Sequence, residues 1–113
     1  QVEIHPFLQQ QKLREWASRT ATWLIAHTPL CQGAVTSDDT ISKIARQHNA
    51  TAAQVSLAWL TSHDRVAAVP GGRLTHLQEN LDSLSIDLSD EDLRRLDEIK
   101  VERRCVDYEF SPW

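Results

Sequence analysis

Three short apolar runs, each followed by a stretch with helical periodicity, constrain this chain more than any other feature. The runs are "QVEIHP" at residues 1–6, "TWLIAH" at 22–27 and "VAAV" at 66–69. Strand–helix alternation of this kind predicts an α/β fold with a parallel sheet. The second run is almost continuously apolar, as expected of a parallel strand covered on both faces. Pro6 ends the first run. Three strands are too few to close a barrel, and they leave two bare edges. The unit as read is therefore incomplete, or is completed by another chain.

The intervening segments read as helices by the spacing of their apolar residues. Residues 9–21 place Leu13, Trp16 and Ala17 on one face. Residues 38–49 do the same with Ile41, Ile44, Ala45 and His48, with Ser37 as N-cap and Asn49 as the stop. The next helix opens on Thr51 and Gln54, a capping-box pair, and buries Val55, Ala58 and Trp59. A second such pair, Thr75 and Gln78, opens a helix with Leu77, Leu81 and Leu84 inward. The last helix has Ser89 as cap and Asp90, Glu91 and Asp92 in its first turn. Its apolar face is Leu93, Leu96 and Ile99. The tail from Lys100 onward has no period. No linker or low-complexity segment divides the chain.

With 113 residues the chain is one domain at most and buries a modest core. A net charge of −4 argues against a nucleic-acid or anionic-membrane surface. No apolar run approaches membrane-spanning length. The opening residues lack the basic-then-apolar pattern of a signal peptide. The absence of Met and the abrupt start on a strand suggest an upstream portion that was removed or belongs to a longer polypeptide. Cys31 and Cys105 are far apart in sequence and show neither a disulfide framework nor metal spacing. They read as small packing residues of a protein in a reducing, cytoplasmic compartment.

The stretch "VAAVPGGRLTHLQENL", residues 66–81, delivers a strand through Pro70, Gly71 and Gly72 into a helical pattern. The free N–H groups of a helix start there would favour an anion. The plain alternative is a strand-to-helix turn in which glycine relieves crowding.

The strings "QVEIHP", "IAHTPL", "ARQHNATAAQVSLAWL" and "VPGGRLTHLQENLDSLSIDLSDEDLRRLDEI" together resemble the aldo-keto reductases, and most of all their diketogluconate-reductase branch. The resemblance runs the length of the chain, in order. It implies an eight-stranded (β/α) TIM barrel of roughly 250 to 320 residues. Residues 1–113 would form one incomplete segment of it: the last three strand–helix units, the C-terminal helix and the tail. It also implies NAD(P)H-dependent reduction of a small-molecule carbonyl substrate. The family's catalytic tetrad of Asp, Tyr, Lys and His lies on earlier strands, so no catalytic residue is expected in this sequence.

What the resemblance does carry over is the cofactor side. Gln1 falls where the family hydrogen-bonds the nicotinamide carboxamide, and His27 where an aromatic ring stacks on the nicotinamide. Thr28 and Leu30 match the loop along the pyrophosphate. Gly71 and Gly72 fall where many members place Lys-Ser around the 2′-phosphate of NADPH. His76 falls at an adenine-side Arg, and Glu79 and Asn80 match an adenine-contacting pair. With those cations missing, Arg73 is the substitute, and NADH becomes an alternative to NADPH. Phe110 and Trp113 match a tail that closes over substrate.

Each of these residues also has a plainer reading. His27 alone is a part-buried histidine, Glu79 a solvated helix residue and Asn80 a local hydrogen-bonder. His5 reads as structural. Trp16, Trp23 and Trp59 read as core, and the cluster Asp90 to Asp92 as a helix start rather than a metal site. Two function classes follow: the C-terminal part of a carbonyl reductase, inactive alone, or a non-catalytic binding or scaffold protein that self-associates through its open strand edges as a homo-oligomer. A complementary barrel half is the partner the first class requires.

Overall fold

A computed structural model of the chain describes residues 1–107 and Glu109. Phe110 and Trp113, assigned to the substrate tail above, lie outside the described residues. The sheet has three parallel strands in the order β1 (Val2–Glu3), β2 (Leu24–His27) and β3 (Val66–Val69). Glu3 pairs with His27 and His27 with Val69, so these three residues form one row at the C-terminal end of the sheet. Alternation then sets the faces. Leu24, Ala26 and Val66 are buried against helices. Ile25 and Val69 point the other way and are 37% and 52% exposed. The expectation of cover on both faces of the second strand is corrected: the described residues cover only one.

α1 (Gln11–Arg19) is shorter than its apolar pattern predicts. Gln10 and Ala21 sit at φ 50° and 56°, left-handed values that a helix cannot include. α2 (Asp39–Gln47) is capped by Asp38, not Ser37; its carboxylate accepts from the Ile41 N–H at 2.9 Å. The helix ends before Asn49, whose φ of 52° makes it the stop the sequence announced. α3 (Ala52–Thr61) carries the full Thr51–Gln54 box and buries Val55, Ala58 and Trp59 as expected. The Thr75–Gln78 box does not form. A 3-10 turn, Leu74–His76, replaces the first helical turn, and α4 (Leu77–Asp82) spans six residues. α5 (Asp90–Asp97) is capped by Ser89, with Asp92 returning the bond.

The core collects Ala17 of α1, Ile41, Ile44 and Ala45 of α2, Trp59 and Leu60 of α3, and Leu96 of α5 around Leu24, Ala26 and Val66. Trp59 organises its centre. Its indole N–H donates to Asp97 at 2.9 Å, and Arg14 lies 5.4 Å over the ring. The His63 ring stands edge-on to it at 4.6 Å. His48 closes the α2–α5 contact by meeting Asp92 at 2.7 Å.

Two other tryptophans correct the sequence reading. Trp16 and Trp23 are 46% and 63% exposed. Leu77, Leu81 and Leu84 are exposed as well: they line an open cleft opposite Leu57 and Thr61 of α3 and Ala68 and Val69 of β3 rather than a closed core. Truncating Trp59 to Ala should cost about 3–5 kcal/mol in urea unfolding. Truncating Trp23 to Ala should change stability by less than about 0.5 kcal/mol.

Candidate cofactor site at the C-terminal end of the sheet

Two loops rise from the C-terminal end of the sheet, after β2 and after β3. The first, residues 28–33, is tightly folded. Thr28, Cys31, Gln32 and Gly33 all have positive φ, and at Gly33 the value of 89° suits a residue without Cβ. The Cys31 N–H donates to the Thr28 carbonyl at 3.0 Å and the Gly33 N–H to the Leu30 carbonyl at 2.9 Å. Ser56 on α3 fixes the loop from below by donating to the Pro29 carbonyl at 3.1 Å.

The second loop, residues 70–73, comes alongside. Thr28, Pro29, Leu30, Gln32, Gly33 and Gly71 together line a cleft of about 290 Å³. A Cβ at Gly71 would meet no protein atom within 4 Å. Thr28, Leu30 and Gly71, three of the residues expected on the cofactor side, thus share one cleft. Positive charge is sparse. Arg73 is the lone Lys or Arg in residues 70–76.

The remaining predicted residues are partly engaged. His27 Nδ1 lies 3.0 Å from Thr28 Oγ1 at the end of β2. Gln1 is exposed, two residues before Glu3. Glu79 accepts from Thr51 Oγ1 at 2.7 Å and lies 3.4 Å from His76 Nδ1. A Cβ at Gly72 would touch His76 Cβ at 3.4 Å and Asn80 Nδ2 at 3.9 Å, which places Gly72, His76 and Asn80 in one cluster. The helix N-terminus expected to attract an anion here is instead the short 3-10 turn.

The sequence reading missed what lies beside this cleft. Glu3 is 2% exposed and His5 fully buried. The Phe7 N–H donates to His5 Nδ1 at 3.2 Å, so that nitrogen carries a lone pair and the proton sits on Nε2. Nε2 then donates to Glu3 Oε1 at 2.8 Å. The Glu3 carboxylate also accepts from the backbone N–H of Cys105, at 2.5 Å, and of Val106, at 3.1 Å. Burial alone would raise the Glu3 pKa, but the bonds from His5, Cys105 and Val106 outweigh it and hold the carboxyl below its ordinary range. Burial lowers that of His5 more than Glu3 raises it, so the imidazole stays neutral, in accord with its hydrogen bonds.

The cysteines are the second omission. Cys31 and Cys105 form a disulfide across 74 residues, with Cα atoms 5.4 Å apart. The reading of them as unpaired packing residues is corrected, and the inference of a reducing compartment drawn from it falls away. Sequence distance hid the pair: only the return of the tail over the sheet brings Cys105 to the first loop. The crosslink closes a loop worth on the order of 4 kcal/mol in chain entropy.

The sequence profile described as "Aldo/keto reductase family" matches residues 1–101. The chain belongs to the aldo/keto reductase family. It is 35% identical over 105 residues to the glyoxal reductase of Bacillus subtilis, covering 92% of this chain and 38% of that protein. Among solved structures it is similar to one provisionally named 2,5-diketo-D-gluconic acid reductase B, at 29% identity and TM-score 0.87, covering 96% of this chain and 39% of the other. It also resembles an aldo-keto reductase from Klebsiella pneumoniae solved with NADPH, at 27% identity and TM-score 0.80, over 91% of this chain and 39% of that one.

The chain thus spans about two-fifths of the length of these relatives. Its three strands and helices are part of an aldo/keto reductase barrel, as the sequence resemblance implied. Among the described residues no helix is long and apolar enough to cross a membrane.

The Glu3–His5 pair gives the site a pH signature. Both groups have folded pKa values below their unfolded ones of 4.5 and 6.5. Each therefore contributes stability that is present at neutral pH and is lost on acidification, His5 as pH falls below 6.5 and Glu3 as it falls below 4.5. Glu3→Gln should cost about 1.5–3 kcal/mol at neutral pH, the worth of hydrogen bonds to a charged group. It should also remove the Glu3 share of the loss below pH 4.5 while the His5 share below pH 6.5 persists, read from urea midpoints across that range.

Proposed function

We propose that this chain forms the cofactor-holding side of an NAD(P)H-dependent reductase acting on a small-molecule carbonyl substrate, within an aldo/keto reductase barrel. The cleft shared by the loops after β2 and β3 is the observation that carries this reading. The C-terminal end of a barrel's strands is where such enzymes place their sites, with phosphate groups near the last two strands. The NADPH-bound relative from Klebsiella supports the choice of nucleotide. The glyoxal reductase makes a small α-dicarbonyl the first substrate to try.

Bound nicotinamide nucleotide supplies the hydride for the carbonyl carbon. This chain's residues bind and orient it. Thr28 and Leu30 would hold the diphosphate from one side of the cleft and Gly71 from the other. Arg73 offers the charge-assisted contact to a 2′-phosphate that decides NADPH over NADH. His76, Glu79 and Asn80 would meet the adenine, Gln1 would hold the carboxamide, and His27 would offer its ring to the nicotinamide. Phe110 and Trp113, outside the described residues, fall by sequence where the family's tail meets substrate. Proton donation falls to the family's tetrad, whose positions this sequence does not contain. The chain by itself is accordingly expected to reduce no carbonyl.

The partner in this reading is the rest of the barrel, seated on the face that carries Ile25 and Val69. The exposure of that face also favours the second reading, a self-associating protein without catalysis. Native mass spectrometry with NADPH, of the chain alone and with a polypeptide carrying the remaining barrel strands, separates them. The reductase reading expects a one-to-one complex with nucleotide attached. Arg73→Ala should weaken NADPH binding by that complex about tenfold and leave NADH unchanged. A homodimer that takes up neither nucleotide nor the barrel polypeptide would overturn it.

A further inference from the structure

We propose that Cys31 and Cys105 form a reversible thiol–disulfide latch that pins the C-terminal tail onto the loop lining the cofactor cleft. Residues 101–107 have no regular secondary structure. Their attachments are few. The Arg103 N–H donates to the Phe7 carbonyl at 2.7 Å, and Glu3 receives the N–H groups of Cys105 and Val106. Gln32 Nε2 reaches the Cys105 carbonyl at 3.2 Å. The disulfide is the one covalent member of this set. Cys31 sits between Leu30 and Gln32, and both of these line the cleft. The state of the pair therefore bears directly on the cleft wall. This last consequence rests on the cofactor reading above; the latch itself does not.

The alternative chemistry for the same atoms is a metal centre. His5, Cys31 and Cys105 have ligand atoms within 4.8 Å of one another, the one such group among the described residues. His5 has no lone pair to give, however. Its Nδ1 lone pair accepts from Phe7, and its Nε2 proton goes to Glu3. A nitrogen ligand would have to break one of these buried bonds. The geometry favours redox chemistry at sulfur.

Opening the latch takes a dithiol as reductant. Its thiolate attacks the Cys105 sulfur, which is half-buried, whereas Cys31 is 1% exposed. The protein S–S bond breaks, a mixed disulfide forms at Cys105, and Cys31 leaves as a thiolate that takes up a proton. The second thiol of the reagent then displaces Cys105. The dithiol ends as a disulfide, and two electrons and two protons have passed to the protein.

Two measurements on the purified chain test this. A non-reducing tryptic map of the oxidised protein should show residues 20–43 linked to residues 105–113. Limited trypsin cleavage of the native chain after Arg103 and Arg104 should run at least tenfold faster after dithiothreitol treatment. Cys105→Ser should be cut at the fast rate with or without dithiothreitol, while its circular dichroism stays that of the parent. Equal cleavage rates in the two redox states of the parent would overturn the proposal. So would free thiols at both positions after oxidation, or one equivalent of zinc shielding both thiols of the reduced chain. No readout uses the cofactor, so their failure would leave the reductase reading standing.

Discussion

A buried carboxylate with three donors aimed at it holds this structure's functional end together. Glu3 is removed from water at the last position of β1, where an unpaired charge would be strongly destabilising. His5 and the N–H groups of Cys105 and Val106 satisfy it. The first partner fixes the imidazole tautomer, and through it the Phe7 N–H. The other two bring the tail across the sheet end. The disulfide and the Gln32 contact follow from that placement, because only a docked tail puts Cys105 beside the loop after β2.

The two faces of the sheet divide the labour. Leu24, Ala26 and Val66 look toward α1, α2 and α3 and make the core with Trp59 at its centre. The opposite face carries the row that begins with Glu3 and continues through His27 to Val69. Toward β1 that row is buried under the tail; toward β3 it is open. An aldo/keto reductase barrel closes such a face against its other strands, which explains how a strand can be continuously apolar and yet half bare in this chain. Leu77, Leu81 and Leu84 border an open cleft against α3 and β3, so the buried face that their helical pattern announces is only half built.

Much of this was legible in the sequence for physical reasons that are local. The Thr51–Gln54 and Ser89 caps are properties of a few adjacent residues, and Asn49 stops α2 because it tolerates the left-handed conformation. That the sheet is parallel follows from alternation alone. What failed was non-local. Ser37 and Asp38 are both good caps, and only the backbone decides between them. The alternation of Glu3 and His5 with Val2 and Ile4 is the signal for a buried polar row, but nothing nearby says what covers it. Trp16 and Trp23 fit an apolar stripe in the sequence, yet both are exposed, because periodicity does not say what packs on a face. Only the family resemblance points to the loops after β2 and β3 as a cofactor site, since glycine and threonine carry no chemical signature of a diphosphate.

Amide hydrogen exchange at Cys105 and Val106, in oxidised protein and in its Glu3→Gln variant, tests the anchoring role of Glu3 most directly. Gln keeps the shape of the side chain but has a single acceptor oxygen, so it cannot receive all three donors. The account predicts that exchange at these two amides quickens at least tenfold in the variant, while the amides of α3 keep their protection. Unchanged exchange at Cys105 and Val106 would contradict it, and the tail would then owe its position to something other than the buried carboxylate.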